Sequence, residues 1–134
     1  MATITDRKLT LTHDHTKKTV RAVVTCKVNF TALERFQMNG APQGSFFKLK
    51  CQLWGADSGL FGDDDFLFTY PEVFFFPDPT PAATESRTFT VLLGEGVLDE
   101  DAGQDEVYGL LRLTNLSNPL LSVKKKTNEV SHSF

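Results

Sequence analysis

Alternation of apolar and polar residues is the feature that most restricts what this chain can fold into. The segments Thr19–Phe30 and Gly44–Trp54 both follow a period of two. That period is typical of a strand with one face in the core and the other in water. The apolar faces carry Val20, Ala22, Val24, Cys26, Val28 and Phe30 in the first segment, and Phe47, Leu49, Cys51 and Leu53 in the second. We therefore expect an all-β protein.

Further strands are predicted where Thr, Val and Phe are dense between turn residues. They are Leu9–His13, Phe66–Tyr70, Glu72–Phe76, Arg87–Leu93, Glu106–Thr114, Leu120–Lys124 and Glu129–Phe134. About seven to nine short strands favour an antiparallel β-sandwich over a barrel. The length of 134 residues suits one such domain, covering residues 1–134.

One short helix is expected within this pattern. In the segment Thr31–Gln37, Thr31 is followed three residues later by Glu34, which is the spacing of a capping box. We expect one or two helical turns there at most.

Composition and charge exclude several functional classes. A net charge of -3 argues against nucleic-acid binding, which depends on Lys and Arg neutralising phosphates. The lysine run at 124–126 is interpreted as a solvated strand or turn in preference to a phosphate site. The N-terminus has no signal-peptide pattern, and no apolar run is long enough to span a membrane. We therefore expect a soluble, cytoplasmic protein in which Cys26 and Cys51 are reduced core thiols, with a disulfide as the lesser alternative.

Two acidic segments, Leu53–Phe66 and Val97–Tyr108, resemble each other and are the first candidate site. Each has apolar residues, a carboxylate, a glycine, further carboxylates and then a strand. Clustered carboxylates repel one another, and Ca²⁺ takes six to eight oxygen ligands from flexible loops of this composition. The candidate ligands are Asp57, Asp63 and Asp65 in the first segment and Asp99, Asp101 and Asp105 in the second.

These acidic segments resemble the calcium-binding loops of C2 domains, whose length and sandwich fold also suit this chain. That resemblance implies a Ca²⁺ site at one end of the sandwich. The sandwich itself is expected to be immunoglobulin-like or C2-like. The strand signature of C2 domains is absent, and neither segment follows the EF-hand order. The alternative is a pair of solvated acidic turns that confer solubility and block edge pairing.

Aromatic residues mark two candidate contact surfaces. Trp54 lies on the polar face of its strand, immediately before the first acidic segment, where it could meet a sugar ring or a partner protein. The alternative is an indole folded over the rim of the sandwich. The run Phe74, Phe75 and Phe76 places Phe on both faces of one strand. Either both faces are buried, or one of them is covered by self-association into a homo-oligomer.

Histidine pairs and catalytic motifs give weaker signals. His13 and His15 would share a strand face, but two ligands are too few for a transition metal and His132 is remote in sequence. A strand-end turn is the favoured interpretation of that pair. No catalytic signature is present, so we expect a non-enzymatic binding module, aided by Ca²⁺, that recognises a protein or glycan near Trp54. The alternatives are a self-associating structural subunit and a hydrolase whose carboxylates converge only in three dimensions.

Overall fold

The protein is described by a computed structural model that covers residues 1–40, 47–56, 64–76, 80–99 and 105–134. Over these residues the chain forms eight strands and two short helices. The strands are β1 (Thr3–Asp14), β2 (Thr19–Asn29), β3 (Phe47–Ala56), β4 (Asp65–Thr69), β5 (Val73–Phe75), β6 (Thr84–Gly94), β7 (Asp105–Asn115) and β8 (Ser122–His132). The helices are α1 (Ala32–Gly40) and α2 (Glu95–Leu98).

The strands pair into two antiparallel sheets. The first sheet has the order β1-β2-β6, and the second has the order β4-β3-β7-β8, with β5 also pairing with β3. Buried side chains from both sheets form one core cluster between them. The predicted all-β sandwich is therefore confirmed.

The inward faces of β2 and β3 are those that the alternation predicts. Every second residue of β3 from Phe47 to Leu53 is fully buried, and β2 shows the same alternation from Val20 to Val28. Cys26 and Cys51 are buried free thiols on these inward faces. Burial raises the pKa of Cys26 to about 11 and raises that of Cys51 further. Their assignment as small core residues is confirmed.

Helix α1 begins with the capping box predicted from its sequence. The backbone N–H of Glu34 donates to the Thr31 hydroxyl at 3.1 Å, and the Thr31 N–H donates to Glu34 Oε1 at 2.8 Å. The second carboxylate oxygen of Glu34 accepts from the backbone N–H of Ala2 at 2.9 Å. The helix runs to Gly40, somewhat further than expected, because its apolar Met38 is buried against the sandwich.

Strands β4 and β5 lie end to end along the same edge of β3. β4 pairs with residues 52–55 of β3 and β5 with residues 47–49. Pro71 lies between them, where a residue without an N–H cannot continue a ladder. The buried Tyr70 turns inward at this interruption, and its hydroxyl donates to the Ala22 carbonyl of the other sheet at 3.0 Å. Tyr70 therefore ties the two sheets together.

The C-terminal segment forms one long strand where two were predicted. β8 runs unbroken from Ser122 to His132, with a register shift against β7 between Tyr108 and Leu110. β8 is the outer strand of its sheet, so most of its side chains are exposed on both faces. The alternation is lost for that reason, and the two separate strands predicted for Leu120–Lys124 and Glu129–Phe134 were wrong.

Strands β1 and β8 lie side by side at one edge of the sandwich and run in the same direction. Arg7 Nε donates to the Lys126 carbonyl at 2.8 Å, and Asn128 bonds to both backbone polar groups of Leu9. Each of these contacts joins residues 119 apart in sequence. The side chains therefore hold the edge strands of the two sheets in a fixed register.

Within the described part of the chain, neither helix has the length and apolar character needed to cross a membrane.

Candidate functional site

The outward face of the second sheet carries a row of three cationic side chains. Lys50 on β3 pairs with Arg112 on β7, and Arg112 pairs with Lys124 on β8. All three lie on the polar side of their strands, because their sequence neighbours Leu49, Cys51, Leu111 and Leu113 are buried. Strand spacing of about 4.8 Å places this row across a width of about 10 Å. We call Lys50, Arg112 and Lys124 the cationic row.

Trp54 lies on the same outward face, four residues further along β3 than Lys50. It is half-buried and pairs with Tyr108 of β7. Its ring meets Phe66 edge to face, with centroids 5.7 Å apart, and its Nε1–H donates to Gln52 Oε1 at 3.0 Å. The indole is thereby held against the sheet in one orientation.

Two adjacent surface cavities connect Trp54 with the cationic row. One, of about 170 Å³, is lined by Lys50, Gln52, Trp54, Leu110, Arg112 and Lys124. The other, of about 250 Å³, is lined by Trp54, Asp64, Tyr108, Leu110, Lys124 and Lys126. Trp54, Leu110 and Lys124 border both cavities. The two cavities with their lining residues form what we call the Trp54 face.

The far wall of the second cavity is a compact polar cluster. The Tyr108 hydroxyl donates to Asp64 Oδ2 at 2.6 Å, and Lys126 Nζ lies 4.4 Å above the Tyr108 ring and 3.8 Å from the same carboxylate oxygen. Burial and the bond to Asp64 raise the pKa of Tyr108 well above its usual range. Tyr108 is therefore a neutral hydrogen-bond donor at physiological pH.

Among the residues that the structure describes, no carboxylate forms an ion pair with the cationic row. Elsewhere on this sheet Lys48 pairs with Glu72 at 3.4 Å, and Lys126 pairs with Asp64. Among the residues that the structure describes, Lys50, Arg112 and Lys124 have no carboxylate oxygen within 4.0 Å. The row is thus a positive patch on a protein of net charge -3.

The strands that follow the two acidic segments both begin at the end of the sheet next to the Trp54 face. Gly55 of β3 pairs with Asp65 on one side and with Val107 on the other, so the strands that follow the two segments begin at the same end. Asp65 and Asp99 are exposed, whereas Asp105 is buried. Asp57, Asp63 and Asp101 lie outside the described residues. The calcium site therefore stays a prediction.

The Phe-rich strand is divided between core and surface, as its alternation predicts. Phe75 is buried and stacks edge to face on Phe30, with Arg87 over its ring. Phe74 and Phe76 are 41% and 60% exposed. They line a cavity of about 210 Å³ at the end of the sandwich that also carries α1.

One group of side chains in the described ranges has the geometry of a metal site, and it consists of histidines. His13, His15 and His132 each place a ring nitrogen within 4.8 Å of the others. The first two were predicted to form a strand-end turn, because two ligands are too few for a metal and His132 is remote in sequence. The third comes from β8, which the register of β1 and β8 brings alongside. Sequence alone gives no measure of that register.

The cationic row was also missed at the sequence level. Lys50 was placed correctly on a polar strand face, and the run at 124–126 was interpreted as solvated. In β8, Lys124 pairs with Arg112 and Lys126 with Leu110, both on the outward face, whereas Lys125 pairs with the buried Leu111. Only the order and register of three strands bring these side chains together.

Comparison with known proteins gives no family for this chain. No family model matches it, and no curated protein does. An X-ray structure of a Northeast Structural Genomics Consortium target is 10% identical over 97% of this chain and 84% of that chain, with a TM-score of 0.41. A crystal structure of a Bordetella pertussis protein provisionally named ApaA is 10% identical over 98% of this chain and 89% of that chain, with a TM-score of 0.34. At these TM-scores, the fold description rests on the strand pairing given above.

Proposed function

We propose that the protein is a non-enzymatic binding module that recognises an acidic oligosaccharide on the Trp54 face. The observation that carries the proposal is that the Trp54 indole and the cationic row line two adjoining cavities. Among the described residues, no carboxylate forms an ion pair with the cationic row. The proposed surface includes Trp54, as the sequence analysis expected, but its charge is opposite to that of the acidic segments.

The chemistry of the face matches the two parts of such a ligand. A sugar ring has an apolar face of C–H groups that packs on an aromatic ring, and an indole gives a large rigid surface for it. A uronate carboxylate or a sulfate accepts paired hydrogen bonds from a guanidinium, as Arg112 provides, while lysines act as point charges. Neutral Tyr108 and the Gln52 amide border the same cavities.

The proposal is tested by isothermal titration calorimetry of the full chain with an oligogalacturonate of defined length. Lys124→Glu reverses one charge of the cationic row, and Lys125→Glu makes the same change on the other face of the same strand. We expect Lys124→Glu to weaken binding by at least about tenfold, because it replaces attraction with repulsion at a cost of at least about 1.4 kcal/mol. The affinity of Lys125→Glu for the same ligand should stay within about twofold of the wild-type value.

Equal losses in the two variants would contradict the proposal, since they would reflect net charge alone. A neutral cello-oligosaccharide of equal length should bind far more weakly than the acidic one. A poly-glutamate peptide serves as the third probe. If it binds as tightly as the oligogalacturonate, the ligand class is an acidic peptide and the glycan assignment is wrong.

Calcium remains a separate element of this proposal. The candidate Ca²⁺ ligands are those predicted from the sequence, namely Asp57, Asp63, Asp65, Asp99, Asp101 and Asp105. Ca²⁺ that binds only the native state increases the free energy of unfolding by RT ln(1 + [Ca²⁺]/Kd), and so raises the melting temperature. An unchanged melting temperature at millimolar Ca²⁺ would remove calcium from the proposal and leave the cationic row unaffected.

A second candidate function is self-association through the opposite end of the sandwich. The exposed Phe74 and Phe76 lie at the end that also carries α1, whose Leu33 and Phe36 are 65% and 76% exposed. Apolar side chains concentrated in this way are typical of an interface. Sedimentation equilibrium distinguishes the cases: a dimer that Phe76→Ser dissociates supports assembly, and Leu92→Ser, at an exposed residue of β6, is the matched control. A monomer at high concentration would contradict it.

A further inference from the structure

We propose that His13, His15 and His132 form a binding site for a first-row divalent transition metal ion, with Zn²⁺ as the reference metal. The site lies at the end of the sandwich where β1 and β8 finish, and it is independent of the Trp54 face. Its ligands come from β1, from the turn that follows β1, and from the last residue of β8.

The ring nitrogens already lie at distances close to those of bound ligands. His13 Nδ1 lies 3.0 Å from His132 Nε2, and ligand atoms from all three residues fall within 4.8 Å of one another. Zn–N bonds of about 2.0–2.1 Å in a tetrahedral site place two nitrogens about 3.3 Å apart. A shift of a few tenths of an ångström in the first pair, together with rotation of the exposed His15, therefore completes the ligand set.

Glu95 fixes the tautomer of the central histidine. Its carboxylate lies 2.8 Å from His13 Nε2, and the His13 side chain is only 4% exposed. A carboxylate accepts hydrogen bonds, so Nε2 carries the proton and Nδ1 presents its lone pair towards His132. The carboxylate–histidine–metal arrangement has the same form: the acid orients the ring and increases the basicity of the ligating nitrogen. Glu95 is thus a positioning residue for the metal.

Contacts between β1 and β8 hold the histidines in register without a bound metal. His13 and His132 are 119 residues apart, the same separation as in the Arg7–Lys126 and Leu9–Asn128 contacts along these two strands. Phe134 packs against both rings, at 5.5 Å from His13 and 4.8 Å from His132. Phe134 therefore helps to hold the two imidazole rings in place.

The donor set selects the class of metal. Imidazole nitrogen suits Zn²⁺, Cu²⁺ and Ni²⁺, whereas Ca²⁺ and Mg²⁺ prefer oxygen ligands. The histidine site is therefore chemically distinct from the calcium site predicted for the acidic segments. Three imidazoles leave a fourth position for water or for a ligand atom from another molecule.

The test is metal binding by the full chain without an affinity tag, measured by competition for Zn²⁺ with a chromophoric chelator. We expect one equivalent of Zn²⁺ to bind. A carboxylate that bonds to a metal-ligating imidazole is worth about 10–100-fold in affinity, so Glu95→Gln should weaken Zn²⁺ binding within that range and loss of a ligand should weaken it further. His15→Ala removes an exposed ligand and His132→Gln a half-buried one, while Lys17→Ala in the same turn is the control.

A second readout ties the binding to these residues even if a variant fails to fold. The chain has three histidines, so every imidazole signal in an NMR spectrum comes from this site. One equivalent of Zn²⁺ should shift the signals of all three rings in the wild-type protein. Zn²⁺ affinity unchanged in both histidine variants would overturn the proposal. So would imidazole signals that do not respond to the metal.

Discussion

Asn128 bonds to both backbone polar groups of Leu9 across the edge between the two sheets. Its Oδ1 accepts the Leu9 N–H at 2.8 Å, and its Nδ2 donates to the Leu9 carbonyl at 3.2 Å. A side-chain amide thus takes the place that a neighbouring parallel strand would fill. This contact sets how β1 and β8 align, and therefore which side chains meet at their ends.

Replacing Asn128 with Ala should lower the free energy of unfolding by about 1–3 kcal/mol, because two hydrogen bonds are lost and the groups of buried Leu9 lose their partners. Urea denaturation measures this loss. Asn118→Ala in the loop between β7 and β8 is the control and should change stability by less than about 0.5 kcal/mol. Equal losses would mean that the amide does not hold the edge strands together.

Gly109 lies in β7 where the chain has no room for a side chain. A Cβ there would meet Thr127 Cγ2 at 3.0 Å and Val24 Cγ2 at 3.2 Å. Gly109→Ala should therefore destabilise the protein by about 1–3 kcal/mol through overpacking. Gly96→Ala is the matched control, since nothing lies within 4 Å of its Cβ, and it should stabilise α2 by about 0.4–1 kcal/mol. Stabilisation by both variants would contradict the packing described for β7.

Glu34 uses its two carboxylate oxygens to cap α1 and to hold the N-terminal segment. Glu34→Ala removes the bonds to the N–H groups of Thr31 and Ala2, and should cost about 2–3 kcal/mol, since bonds to a charged acceptor are the stronger kind. Glu34→Gln keeps one oxygen acceptor and should therefore lose less stability than Glu34→Ala. Thermal unfolding of the two variants tests the difference. A Gln variant that loses as much as the Ala variant would show that the charge, and not the bonding pattern, matters.

Stability should fall in alkaline solution because buried thiols hold their protons. Burial raises the pKa of Cys26 from 9.0 to about 11 in the folded protein. The unfolded chain therefore gives up this proton at lower pH, so the contribution is complete below about pH 9 and is lost as pH rises towards 11. Urea denaturation at pH values across this interval should show the free energy of unfolding falling as pH rises. The fall should be shallower for Cys26→Ala. Identical slopes in the two proteins would contradict the buried, protonated thiol.

Local sequence patterns predict those features that depend only on neighbouring residues. The capping box of Thr31 and Glu34 needs only a spacing of three, and the inward faces of β2 and β3 need only alternation. The start of β1 was missed because a bulge interrupts the pattern: its register shifts between Thr5 and Lys8, and Asp6 has a φ of 51°. Alternation cannot be followed through such a break.

The candidate sites depend on strand order, which no local pattern encodes. Lys50, Arg112 and Lys124 meet only because β7 lies between β3 and β8. His13 and His132 meet only because the edge strands of two different sheets run side by side. The sequence could therefore identify Trp54 as a surface aromatic and His13 and His15 as a pair, but not the charges or the third ligand that accompany them.

The proposed binding face can be tested most directly through Trp54, the single tryptophan of the chain. Its fluorescence should change saturably when oligogalacturonate is added at low ionic strength, and the apparent affinity should fall as salt is raised. The same titration of Lys124→Glu should need at least about tenfold more ligand, whereas Lys125→Glu should match the wild type. Emission that does not respond to the acidic oligosaccharide, or responds equally to a neutral one, would contradict the account.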